Sequence, residues 1–193
     1  MKAIRHGLAG LLRFSGRDAP GWFWPYVAFV IVMDFAAGAV IMVPSMLDSF
    51  RRMQAFAAAH PDQATVERTA TSYSIQIHGY HPELMPNLGD MAAGFAVMVV
   101  ITILFLAAAV SRRLHDRDRR GAWGLMPLPF LAAGLTIMPR LFAGFSGRQP
   151  DMGLFGLLFL NNLVYLALLA LLIVMLAGRG TEGANRYGPP PPP

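Results

Sequence analysis

Between Met91 and Val110 the chain runs for twenty residues with Thr102 as its only polar side chain. A helix of that length crosses roughly 30 Å of hydrocarbon at about 1.5 Å per residue. Three further apolar runs, over residues 22–47, 122–142 and 153–177, reach the same length. The expected fold is therefore all-α: a polytopic membrane protein with four transmembrane helices in two hairpins. Composition agrees, because only 14% of residues are charged, against about 25% in soluble domains. The chain contains no cysteine, which excludes disulfides, thiolate catalysis and cysteine-held metal centres.

Four crossings put both termini on one side, and the basic residues say which. That side collects Lys2, Arg5, Arg13 and Arg17, then Arg112, Arg113, Arg117, Arg119 and Arg120, then Arg179 and Arg186. The opposite side holds Arg51, Arg52, Arg68, Arg140 and Arg148. Cationic loops stay in the cytoplasm, so the topology is N-in, C-in. The formal charge of +5 then answers to anionic lipid and to insertion, and nucleic acid is not an expected partner.

Three segments lie outside the membrane domain of residues 22–177. Residues 1–21 form a cytoplasmic amphipathic segment and turn. Ile4, Leu8, Leu11 and Leu12 share a helical face there, which fits a surface helix or a solvated terminus. The stretch is too short in apolar core to read as a cleaved signal, so it is expected to be retained. Residues 48–90 form an outer loop, into which the first helix can extend or bend, since Met46, Phe50, Met53 and Ala57 continue its helical stripe; farther on, Tyr73, Ile75 and Ile77 alternate with polar residues as in a short strand. Its His60, His78, His81 and Glu83 match no zinc spacing and read as solvated. Residues 178–193 form a Gly/Pro-rich cytoplasmic tail, whose five terminal prolines are expected to be extended and polyproline-like, as a solvated stub.

Polar residues inside the spans ask for partners. Asp34 sits roughly 15 Å past Trp24 at helical rise, where a carboxylate costs about 2.5–3.5 kcal/mol unless it faces other helices. Asn161 and Asn162 in the last span approach the same depth, so an Asp34 contact with Asn161 or Asn162 is expected. Pro127, Pro129 and Pro139 make the third span irregular and kinked.

The hinge SRRLHDRDRRGAW, Ser111–Trp123, joins the second and third spans. Arg112–Asp116 and Arg113–Asp116 have helical pairing distances, i to i+4 and i to i+3. Its Arg117–Gly121 stretch echoes Arg17–Gly21, as R-D-x-x-G followed by tryptophan and a span. FSGRDAPGWFW, RRLHDRDRRGAW and GTEGANRYGPPP occur in that order, and together they resemble the bacterial inner-membrane family catalogued as domain of unknown function 805. The resemblance implies a multi-pass helical protein of the bacterial inner membrane and no established activity. The chain departs from the family pattern at Arg120, Gly121, Ala122 and Trp123, where a small polar residue before Gly–Trp–Trp is usual.

No catalytic constellation, metal set or cofactor motif is found: His115–Asp116 has neither nucleophile nor metal cluster beside it. The expected function is non-enzymatic, with a basic, Trp-flanked cytoplasmic face that binds anionic lipid headgroups, a membrane-protein partner or a second copy of the chain. Its residues are Arg17, Trp22, Trp24, Arg112, Arg113, His115, Asp116, Arg117, Arg120 and Trp123, with Arg13 and Arg119 adding charge. The alternative is a small oligomeric transporter or channel subunit with a polar path at Asp34, Asn161 and Asn162.

Overall fold

A computed structural model describes residues 1–145 and 151–191. Arg148, and with it most of the stretch expected between the third and fourth spans, lies outside them. The elements are α1 (Lys2–Ala9), α2 (Pro20–Ala59), β1 (Ala64–Arg68), β2 (Tyr73–Ile77), α3 (Leu88–Asp116), α4 (Leu128–Phe145) and α5 (Met152–Ala177). Short 3₁₀ turns at Pro82–Leu84 and Gly121–Leu125 precede α3 and α4.

Among the described residues, four helical stretches are long and apolar enough to cross a membrane: Pro20–Ala59, Leu88–Asp116, Gly121–Leu141 and Met152–Ala177. The third has the lowest hydropathy, 1.4 against 2.3–2.7 for the others, because prolines and glycines dilute it. Its first turn is 3₁₀, and Pro139 lies inside α4, so the proline-rich span is irregular as its composition requires. Leu104, Leu160, Leu166 and Val174 are exposed along α3 and α5. Apolar surface of this kind belongs against lipid rather than water.

The chain divides into two compact units. Unit 2, Ala37–Phe95, contains the antiparallel β1–β2 pair, in register Ala64↔Ile77 to Arg68↔Tyr73. The alternating stretch at Tyr73–Ile77 is thus a strand, and its partner Ala64–Arg68 is one that the sequence pattern leaves unmarked. Residues 48–59 continue α2, which runs unbroken for 40 residues, in line with the helical stripe at Met46, Phe50, Met53 and Ala57. Ser49 is buried in this unit and donates to the Leu84 carbonyl. His81 bonds Glu83 at 2.9 Å and His78 bonds Thr65 at 3.0 Å, so these histidines have separate partners.

Unit 1 comprises Met1–Ala36 and Ala96–Pro193. Its core is Phe23, Tyr26 and Val30 of α2, Ala109 and Leu114 of α3, and Leu172, Met175 and Leu176 of α5. These residues belong to the start of α2 and to the ends of α3 and α5, so the tightest packing lies at one end of the unit. There α1 docks through Gly7, since a Cβ at that position would overlap the Tyr26 ring. The Tyr26 hydroxyl in turn donates to the Phe105 carbonyl at 2.9 Å.

Candidate functional site: a buried arginine–aspartate lock

The packed end of unit 1 carries a cluster that a membrane protein places only with care. Arg17 is 8% exposed, Asp18 3%, Arg112 3%, Arg113 0% and Asp116 2%. Buried ions are tolerable only when paired and hydrogen-bonded, and loss of one partner costs about 3–5 kcal/mol. Here the pairing runs crosswise between the approach to α2 and the last turn of α3. Arg17 Nε and Nη2 donate to Asp116 Oδ1 at 3.1 and 3.0 Å, while Arg112 Nε donates to Asp18 Oδ2 at 2.8 Å. The other Asp18 oxygen meets His6 Nε2 at 2.9 Å, and the other Asp116 oxygen accepts from Arg113 Nη1.

The Arg113–Asp116 pair has the i, i+3 spacing read from the sequence. The alternative Arg112–Asp116 pair is replaced, because Arg112 turns to Asp18 across the bundle. Both spacings were sterically open on the helix, and burial of Asp18 beside Arg112 decides between them.

Three buried guanidiniums exceed two buried carboxylates, and main-chain carbonyls absorb the surplus. Arg113 Nε donates to the Leu176 carbonyl at 2.9 Å, and Nη2 donates to Gly178. Arg117 Nη1 reaches the Val174 and Met175 carbonyls. These carbonyls end α5, where the helix dipole is negative and favours cations. Arg17 takes the Thr181 and Gly183 carbonyls, each at 2.7 Å.

The tail after α5 is thereby drawn into the cluster. The Thr181 amide donates to the Asp116 carbonyl at 2.8 Å, and Asn185 Nδ2 donates to the His115 carbonyl at 2.9 Å. Tyr187 stacks on His115 with ring centroids 3.8 Å apart and planes 7° from parallel. Residues 178–188, before the terminal prolines, thus form a strap held against the cluster. Gly178 and Gly180 permit this approach, since a Cβ at either would overlap Arg117 or Asp116.

The expected surface site therefore divides. Arg17, Arg112, Arg113 and Asp116 are buried and bonded within the lock. Trp22 is half-buried with its ring 5.0 Å from His6; Trp24 is half-buried edge-on to Phe23. His115 and Arg117 are half-buried, whereas Arg120 and Trp123 are exposed. Asp18, His6, Thr181, Asn185 and Tyr187 were missed as members. The signal for most of them was present in the motifs RDAPG and GANRYG, whose polar residues are those the lock uses.

A chamber of about 670 Å³ opens in the same unit, lined along α3 by Met98, Thr102, Leu106, Val110 and Ser111, and by Asp34, Leu131, Tyr165 and Leu169. Asp34 accepts from Thr102 Oγ1 at 2.7 Å, and Asn161 donates to the Phe130 carbonyl at 2.9 Å. The expected Asp34 contact with Asn161 or Asn162 thus gives way, among the described residues, to other partners. Asn162 is exposed. Among the described residues no three His, Asp or Glu side chains gather as a metal site.

Comparison with known proteins adds a family. The model of the family described as "Protein of unknown function (DUF805)" matches residues 11–189, a span that contains every residue of the lock except His6. A protein of Escherichia coli strain K12, "Uncharacterized protein YiiR", is 33% identical over 106 residues, covering 53% of this chain and 62% of that protein. Its namesake in Escherichia coli O157:H7 matches to the same extent. The chain thus aligns with less than two thirds of the length of these curated relatives. No solved structure matches.

Proposed function

We propose, from the premise that the chain belongs to the DUF805 family of proteins of unknown function, that it is a non-enzymatic protein of the bacterial inner membrane. Both termini lie in the cytoplasm, and the cytoplasmic end holds anionic lipid. The carrying observation is what the lock leaves over. Lys2, Arg5, Arg13, Arg119 and Arg120 are exposed in the unit that holds the lock, in company with exposed Leu8, Leu12, Phe14 and Trp123. Cations beside exposed apolar side chains suit the headgroup level, each basic residue contributing about 1 kcal/mol near an anionic surface. The lock itself has little left for chemistry, since both Asp116 oxygens accept from arginine.

The test is native mass spectrometry of the full chain from mild detergent. Wild type is expected to retain phosphatidylglycerol or cardiolipin, and the variant with these five cations changed to Ala is expected to lose it. Equal retention by the two would sink the reading. The chamber with Asp34 and Thr102 favours a second reading, an oligomeric transporter or channel subunit. That reading requires pH-dependent or solute-dependent flux in liposomes that Asp34→Asn abolishes.

A further inference from the structure

We infer that a second, polar cavity beside the lock is a seat for a phosphate group, an assignment that rests on the lipid-holding reading above and gives that lipid a defined place. The cavity, of about 310 Å³, is walled by His6 and Gly10, Arg13 and Ser15, and Asp18 and Arg112. It thus lies where α1 and the turn after it cross the end of α3.

Arg112 supplies the main argument. Arg17 and Arg113 each donate from Nε and from both terminal nitrogens. Arg112 donates from Nε to Asp18 and from Nη1 to the Gly10 and Arg13 carbonyls, but its Nη2 is buried with no acceptor. A buried donor left unsatisfied costs about 1–3 kcal/mol, and more when charged. Of the three buried arginines of the lock, Arg112 is the one with a terminal nitrogen to spare, and it lines the cavity.

The second argument is charge. Arg17 also lines the cavity, but Asp116 neutralises it. Arg13 and Arg112 then face the single carboxylate Asp18, which leaves an excess of positive charge. Two glycines shape the cradle. A Cβ on Gly10 would stand 3.0 Å from Arg112 Nη2, so only glycine lets the chain lie this close to the guanidinium. Gly16 has φ +94°, and Arg13 Nη2 lies 3.8 Å from where its Cβ would be. The left-handed turn at Gly16 thus has the Arg13 guanidinium at ordinary contact distance, at the rim.

Guanidiniums arriving from the rim and from the floor suit an oxyanion with several acceptor oxygens, which phosphate provides and a lone carboxylate does not. Exposed Leu8, Leu12 and Phe14 flank the same turn, at the level where a lipid phosphate would lie.

The experiment titrates the full chain in mild detergent with sodium phosphate and, separately, with dihexanoyl phosphatidylglycerol, following tryptophan fluorescence, because Trp22 neighbours His6. Saturable binding is expected. Arg13→Ala should weaken it roughly tenfold or more, Arg13→Lys less, and the double variant Arg119→Ala/Arg120→Ala little. Arg13 is exposed, so its side chain is removed without opening the lock. Binding of both probes supports a seat that reads the anion alone; binding of the lipid only supports a headgroup seat. Binding of neither, or binding indifferent to Arg13→Ala, overturns the inference. If lipid retention falls only when Lys2, Arg5, Arg13, Arg119 and Arg120 are all removed, the seat fails while the lipid-holding reading stands. If it survives even that change, both fail.

Discussion

The dipeptide Arg-Asp occurs twice before a glycine, a tryptophan and a membrane span, and its two copies have opposite fates. Arg17 and Asp18 are buried and cross-paired with Asp116 and Arg112. Arg117 is half-buried and Asp118 exposed, and Asp118 pairs with Arg186 through side chains 46% and 51% exposed. Local position explains the difference. Arg17–Asp18 lies across the last turns of α3, with the Asp18 amide donating to the Arg112 carbonyl at 3.2 Å. Arg117–Asp118 is the turn that ends α3, and Asp118 adopts φ 53°. The aspartate of the pair is a structural keystone where it is covered and part of a solvated turn where it is not.

Removing one charge from each side of this contrast gives the largest effect. Asp116→Asn keeps the shape but leaves Arg17 and Arg113 without their carboxylate, for an expected loss of about 3–5 kcal/mol. Asp118→Asn removes an exposed partner and is expected to cost about 0–1 kcal/mol. Unfolding midpoints in mild detergent compare the two. Similar shifts would mean that burial does not separate the two copies.

Gly180→Ala tests whether the tail strap belongs to the lock. The new Cβ would overlap the Asp116 carboxylate, so the strap or the carboxylate must move, at an expected cost of about 1–3 kcal/mol as for other overpacked sites. Gly156→Ala in α5, with open space around it, is the control and is expected to gain up to about 1 kcal/mol in helix propensity. Increased proteolysis of residues 178–191 in Gly180→Ala alone would show the strap released.

What was legible in the sequence follows from what has a period. Apolar runs of bilayer length are local and uninterrupted, so the four spans could be read without knowing their neighbours. The strand at Tyr73–Ile77 alternates, but Ala64–Arg68 does not present a clear apolar face. The crosswise pairs were illegible for another reason. Arg112 and Asp116 stand one helical turn apart, and nothing in their spacing reveals an Asp18 lying against Arg112. The tail was harder still, because Arg17 and Arg113 grip main-chain carbonyls, which every residue carries. The basic hinge accordingly looked like a surface for lipid, whereas its first two arginines are interior. Replacing Arg112, Arg113 and His115 together would therefore probe folding, and exposed cations such as Arg13 are the ones that report on binding.

The smallest expected effect comes from the solvated copy itself. Asp118 adopts a left-handed backbone that most residues reach only at about 1–2 kcal/mol and that aspartate tolerates better. Asp118→Gly removes that strain and an exposed ion pair together, so the terms nearly cancel. The net change should stay within about 1 kcal/mol of zero. Asp118→Val removes the same ion pair but puts a β-branched side chain into the left-handed region, so it should be the less stable of the two by at least about 1 kcal/mol. Unfolding midpoints of the pair isolate the backbone from the charge. A Gly variant no more stable than the Val variant would mean that the positive φ is not what the turn requires of residue 118.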